Sequence, residues 1–311
     1  MKTEWIRNAA AALVLAGCVV VAAISLGGCA DEEKSARVED AYPGVSMGLL
    51  KNAQLVKLKP EVLAEVGGAP FTGDQLQATV KDIPPEILPQ IQKNLIFLLE
   101  QRLAMMVLVA EAKGAGVPTE GVADEDIIQS LLMHVSKDAA VSEEEVKAFF
   151  EANKAMIGET PFEEVKETIE AMLFQEKQQE AVNVYLEGLE KRADIKLNRQ
   201  WFEEQSRLTR DNPVDKARFS GKPSLVGFGA PGSPPSEMMK PVLDLFQKKH
   251  PEALNVVSVD LAEERVLGAR YGIGSVPAQV FFDKAGKEVF RNTGMLAEEE
   301  IVKQLAGLGI N

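Results

Sequence analysis

The stretch KPSLVGFGAPGSPPSEMMKPVLDLFQKK, residues 222–249, decides the fold of the C-terminal third. Ser224-Leu225-Val226-Gly227-Phe228-Gly229 is a short, mostly apolar run bounded by proline and glycine, which reads as a buried strand. Met238 to Lys249 carries Val242, Leu243, Leu245 and Phe246 on one helical stripe, and Pro241 within it predicts a kink. Working outward, Asn255-Val256-Val257-Ser258-Val259-Asp260 reads as a second strand, followed by a helix ending at Tyr271-Gly272. Val280-Phe281-Phe282-Asp283, the turn Lys284-Ala285-Gly286 and Glu288-Val289-Phe290 predict a hairpin, and Glu298 to Leu308 a closing helix. Two strands joined through a helix run parallel and need helices on both faces. Residues 215–311 are therefore expected to form a three-layer α/β/α domain.

Toward the N-terminus, residues 199–214 are a charged segment bearing Trp201-Phe202 and read as a linker. Residues 61–198 read as a mainly α-helical domain. Val62–Val66 is expected as a strand before a Gly67-Gly68 turn, and Thr72 with Gln75 forms a capping-box pattern. A helix is predicted from Pro84-Pro85 to about Lys113, closed by Gly114 and Gly116. Ser142 with Glu145 caps another, and Thr160-Pro161-Phe162-Glu163 starts a long one that runs to about Lys191. Ala193-Asp194-Ile195-Lys196-Leu197 alternates and is a natural partner for the strand at 62–66. Residues 29–60 are polar and irregular and read as a tether.

Composition narrows the chemistry. The 311 residues carry 34 Lys plus Arg against 47 Asp plus Glu, a formal charge of −13, which argues against nucleic-acid binding. Both cysteines, Cys18 and Cys29, precede residue 30, and only His134 and His250 are available as imidazoles. A cysteine zinc site, an internal disulfide framework and a cysteine nucleophile are thereby excluded from the body, and no metal or other cofactor is expected. The Glu143–Glu145 and Glu298–Glu300 runs suit the positive ends of helix dipoles. Phe149-Phe150 and Phe281-Phe282 are expected in the core. Among the methionines, Met105, Met106, Met133, Met156, Met172, Met238 and Met239 are expected either in the core or on adaptable apolar surfaces.

At the N-terminus, Lys2 and Arg7 precede an uncharged apolar run over residues 9–26, the shape of a secretory signal occupying residues 1–28. An uncleaved membrane helix is the alternative, since the run approaches the ~20 residues needed to span. Leu26-Gly27-Gly28-Cys29 resembles a bacterial lipobox, with Leu15-Ala16-Gly17-Cys18 as a second match. The resemblance implies acylation of Cys29 (alternatively Cys18) and a body held on the lipid bilayer at the bacterial cell envelope, facing the periplasm.

The C-terminal third resembles the thioredoxin family. Gly221 to Phe228 corresponds to the strand that enters that family's active site, Pro241 to its helix-kinking proline, and Val276-Pro277 to its cis-proline. The resemblance implies a peptide-docking edge at Val276 and Pro277. Where the family has Trp-Cys-Gly-Pro-Cys, this chain has Gly232-Ser233-Pro234-Pro235-Ser236, and Gly227 takes the place of a buried acid. Thiol–disulfide exchange needs a thiolate, which serine cannot supply. The helical block resembles the N-terminal chaperone domain of SurA/PrsA-type periplasmic foldases, through Ala64 to Thr72, Glu111 to Gly114 and Gln175 to Ala181. Only Gly158-Glu159 stands where that family commonly inserts a parvulin domain, so no prolyl isomerase activity, and no catalytic residue, is expected. The implied function is an envelope chaperone for unfolded or partly folded polypeptides. Its alternatives are an oxidoreductase by fold only, a foldase-family protein without its catalytic domain, and a scaffold for one envelope partner.

Overall fold

The computed structural model describes residues 35–310 apart from 47, 82 and 159. The signal segment and Cys18 and Cys29 lie outside the described residues. In chain order the elements are Ala36–Arg37 (β1), Val38–Ala41 (α1), a 3-10 turn at Leu49–Asn52, Gln54–Val56 (β2), Val62–Val66 (β3), Ala69–Thr72 (β4), Gly73–Val80 (α2), Leu88–Lys93 (α3), Leu95–Gly114 (α4), Asp124–Ser136 (α5), Glu143–Ala152 (α6), Lys154–Ile157 (α7), Phe162–Arg192 (α8), Ile195–Asn198 (β5), Arg199–Thr209 (α9) and Pro213–Arg218 (α10). The C-terminal third adds Ser224–Gly229 (β6), Pro234–Lys249 (α11), Asn255–Asp260 (β7), Arg265–Arg270 (α12), Ala278–Phe282 (β8), Glu288–Thr293 (β9) and Glu298–Gly307 (α13).

An N-terminal sheet of order β1-β2-β5-β3-β4 anchors the first half. β3 and β5 pair antiparallel with Ala64 opposite Leu197. The β3–β4 hairpin turns on Gly67 and Gly68, both at positive φ, the conformation that two-residue hairpin turns demand. Thr72 and Ser142 both close reciprocal capping boxes, with Gln75 and Glu145. The segment read as a tether is a correction: from residue 35 to 56 it is part of the core. Val38, Leu50 and Leu55 are fully buried in the cluster that includes Leu99, Leu103 and Leu197. The Ser46 hydroxyl and the Leu50 amide both donate to the buried Glu100 carboxylate, at 2.7 and 3.0 Å. These apolar residues are spaced at neither helical nor strand period, so the burial has no local signature.

The helical block also departs from expectation in detail. The helix expected from 84 to 113 breaks at Asn94, whose side-chain amide donates to the Gln90 carbonyl at 2.8 Å. Helix α5 is additional to the elements read from sequence, and α8 starts one residue later than expected, with Pro161 at its cap. α8 is 31 residues long, yet only Ile169 and Leu189 are buried along it. Two small satellite cores hold α5 and α6 against it, one around Ile127 and Leu131 and one around Val146 and Phe150.

The C-terminal sheet has the order β7-β6-β8-β9, with β6 and β7 parallel and β8 antiparallel to both β6 and β9. Leu225 and Phe281 face α11 and α13 on one side, while Val226, Phe228, Val280 and Phe282 face α10 and α12 on the other. The three layers follow directly from this alternation.

The charged segment 199–214 is not a free linker. It forms α9 and the start of α10, with Phe202 fully buried and packed edge-on against Tyr42 at 5.5 Å. From Ser35 onward the chain clusters as one compact unit. The join is polar and buried. The Asp215 carboxylate accepts from Arg270 at 2.6 Å, from the Tyr271 hydroxyl at 2.7 Å and from the Asn212 amide at 2.6 Å. Arg270 also donates to the carbonyls of Thr209 and Val45, at 3.2 and 3.4 Å. Gln90 of α3 receives the Val266 amide at the start of α12 at 3.2 Å.

Candidate functional site

β6 delivers the chain to a turn in which Gly232 has φ +74°. Ser233 is the N-cap of α11, and Pro234 and Pro235 occupy its first turn, where a missing N–H leaves nothing unpaired. Helix α11 thus begins four residues before the expected Met238. Ser236 is buried and its hydroxyl donates to the Ser233 hydroxyl at 3.0 Å. Among the described residues no imidazole, amine or carboxylate is hydrogen-bonded to either serine oxygen. Gly227 lies one strand step inside the site. A Cβ there would stand 2.3 Å from Leu243 Cδ1, so the leucine fills the space an acidic side chain would need.

Ala278, the first residue of β8, pairs with Phe228 near the end of β6. That register brings the residues just before β8 to the same end of the sheet as the Ser233–Ser236 turn. The Val276–Pro277 peptide there is cis. Pro277 is buried and its carbonyl accepts from the Gly294 amide at 2.7 Å. Val276 is half-buried, and among the described residues no hydrogen bond engages its N–H or C=O. Met295, next to Gly294, is 46% exposed, and Met238, in the second turn of α11, is 62% exposed. The six residues named from sequence for the thioredoxin-like site therefore lie at one end of the C-terminal sheet, Ser233 to Ser236 at the start of α11 and Val276 and Pro277 just before β8.

The family model described as a thioredoxin-like domain matches residues 211–308. Over 96 residues the chain is 34% identical to the thioredoxin of Alicyclobacillus acidocaldarius subsp. acidocaldarius, covering 31% of this chain and 90% of that protein. The chain belongs to the thioredoxin family. A thioredoxin of Pyropia yezoensis is 31% identical over 83 residues, covering 27% of this chain and 77% of its own length. Thioredoxin H4 of Arabidopsis thaliana is 29% identical over 97 residues, covering 31% of this chain and 81% of that protein. The family model's match lies in the C-terminal third that carries the site.

A second surface lies in the helical half. Between α5 and α8 runs a groove of about 730 Å³ with Ile128, Leu132, Met133 and Val182 in its lining and Gln175 and Gln179 along it. Met133 is 66% exposed. The remaining long apolar residues sort by position: Phe281, Phe282 and Met239 are buried, Phe150 nearly so, and Met156 stands in solvent. The Asp215–Arg270–Tyr271 cluster, which holds the thioredoxin-like third against the rest, has no motif to reveal it. Asp215 is 55 residues from Arg270 in sequence, and burial with the Asp215 charge nearby raises the Tyr271 phenol well above its usual range.

Proposed function

We propose that this thioredoxin-family chain is a lipid-anchored chaperone of the bacterial cell envelope that binds unfolded or extended polypeptides without catalysing redox chemistry. The observation that carries the proposal is the pair of hydrogen-bonded hydroxyls, Ser233 and Ser236, on a thioredoxin scaffold whose docking edge at Val276 is unoccupied by its own backbone. With no cysteine beyond residue 29, the domain has no sulfur to exchange. What is left is a backbone edge at Val276, with exposed Met238 and Met295 on the same domain, suited to weak, sequence-tolerant contacts. The α5–α8 groove supplies a second apolar surface, and the likeness of the helical half to SurA/PrsA-type chaperone domains supports the same reading. Acylation of Cys29 would hold the body on the bilayer, since attachment by more than one chain is stable.

The test is suppression of aggregation of a chemically denatured client by the chain from residue 30. Protection at stoichiometric ratios supports the proposal, and no protection at several-fold excess overturns it. Labelled palmitate should enter the wild-type chain and not Cys29→Ala. The similarity to thioredoxins favours a second reading, thiol–disulfide oxidoreductase. Turnover of a disulfide substrate such as insulin by the purified chain would establish that reading instead.

A further inference from the structure

β7 is an edge of the C-terminal sheet, with no strand paired to its outward side among the described residues. In a parallel pair, alternate residues direct their backbone groups to the neighbouring strand. The Asn255 amide donates to the Pro223 carbonyl at 3.0 Å and the Leu261 amide to the Gly229 carbonyl at 2.8 Å. Counting by two assigns Val257 and Val259 to β6 as well, so Val256 and Ser258 turn N–H and C=O outward. Among the described residues no hydrogen bond engages those groups. The next outward carbonyl, of Asp260, accepts from the amides of Glu263 and Glu264 and closes the strand. Natural edges are commonly guarded by a charge or a proline along the strand. The opposite edge, β9, carries Glu288 and Arg291, whereas Asn-Val-Val-Ser-Val in β7 has no charge before Asp260.

The same residues border a hollow. Cross-strand partners share a face, and Leu225 with Val256, Gly227 with Ser258 and Gly229 with Asp260 form successive rows. Leu225 and Val256 pack in the core beneath α11, so these rows all face α11. The Gly227–Ser258 row has almost no side-chain volume. The space left over is a cavity of about 180 Å³ lined by Gly227, Gly229, Ser236, Lys240, Leu243 and Ser258. Ser258 is exposed, so the cavity is reached from the edge.

We propose that β7 accepts an extended polypeptide segment as an added strand, with one aliphatic side chain of that segment seated in this cavity. The unpaired N–H and C=O groups of Val256 and Ser258 recognise an extended backbone and nothing about its sequence. The residue opposite Ser258 continues the Gly227–Ser258 row, so its side chain lies on the α11 face and reaches over a small hydroxyl toward Leu243. The inference rests on the reading of the chain as a binder of extended polypeptides, and it places a contact on an edge separate from Val276.

The test uses the full chain and an acetylated eight-residue peptide of alternating Thr and Val with a central Leu, beside a twin N-methylated at two alternate amides. The expected result is slowed amide exchange at Val256 and Ser258 on adding the peptide, with binding at least tenfold weaker for the N-methylated twin. Ser258→Leu, which fills the hollow from within, and Ser258→Lys, which charges the edge, should each weaken the peptide at least tenfold while leaving the thermal midpoint in place. Equal binding of the two peptides overturns the inference, as does protection at Val276 without protection at β7. Concentration-dependent dimerisation abolished by Ser258→Lys also overturns it, placing a second copy on the edge. A chain that protects denatured clients but never engages the peptide at β7 refutes this inference alone. A chain that binds neither refutes the chaperone reading as well.

Discussion

Replacing Arg270 with methionine should destabilise the whole body, including parts far from α12. The Arg270 and Asp215 side chains are 2% and 0% exposed, and the guanidinium meets the carboxylate at 2.6 Å. Removing it leaves the buried Asp215 carboxylate with, among the described residues, Tyr271 and Asn212 as its side-chain donors, and strands the carbonyl of Val45, while the Thr209 carbonyl keeps its bond from the Asn212 amide. Breaking a buried pair from one side costs about 3–5 kcal/mol, against a total stability of about 5–15 kcal/mol for a typical domain. At about 2–4 °C per kcal/mol for a chain of this size, the midpoint should fall by about 6–20 °C. Urea unfolding followed by circular dichroism and by Trp201 fluorescence measures both the loss and its reach. Trp201 packs against the N-terminal core, so it should lose its signal at the same lowered midpoint. The double variant Asp215→Leu with Arg270→Met removes both charges, and its loss should be smaller than that of the single change. A single-variant loss below about 1 kcal/mol, or a double variant as unstable as the sum of the two singles, would refute the coupling.

Four further outcomes follow from individual contacts. Ser233→Cys with Ser236→Cys should close an intramolecular disulfide on mild oxidation, read as loss of alkylatable thiol, because the two oxygens already stand 3.0 Å apart. Gly227→Ala should destabilise by about 1–3 kcal/mol in denaturant titration, because its methyl group would strike Leu243. A chain beginning at residue 61 should fail to fold, seen as lost near-ultraviolet dichroism: it lacks Val38, Leu50 and Leu55, each worth about 1.5–3 kcal/mol when fully buried. Hydrogen bonds from Lys177 and, next, from the Ser142 backbone amide lower Glu145 from 4.5 to about 2, so those contacts stabilise fully above pH 4.5 and are lost as pH falls toward 2. An acid titration of helicity should therefore show a limb in that window that Lys177→Met shrinks and moves toward pH 4.5.

Much of the thioredoxin-like third was legible because its signals are local. The apolar runs at 224–229 and 255–260 and the glycine turn at 286 each specify an element within a few residues, and family strings set their order. The same holds for the capping boxes at Thr72 and Ser142, where two side chains three residues apart satisfy each other's backbone. Segments that take their structure from distant partners were misread. Residues 35–56 look polar because their buried side chains follow no period, and α9 looks like a linker because Phe202 is its one fully buried apolar residue. At the site, the serines and the proline could be named in advance, but the hydroxyl-to-hydroxyl bond, the Leu243 side chain in place of an acid and the unbonded Val276 backbone could not.

The amino-acid sequence by itself determined that no cysteine follows residue 29 and set the layered order of the C-terminal elements, since residue identity and short-range periodicity are sufficient for both. Only the tertiary structure decided that the N-terminal segment, α9 and the thioredoxin-like third form one unit, and that β7 is left as an edge strand. Those outcomes depend on which groups meet across 55 residues or more of chain, and on which backbone donors find no partner. Both are settled by packing rather than by any stretch of sequence.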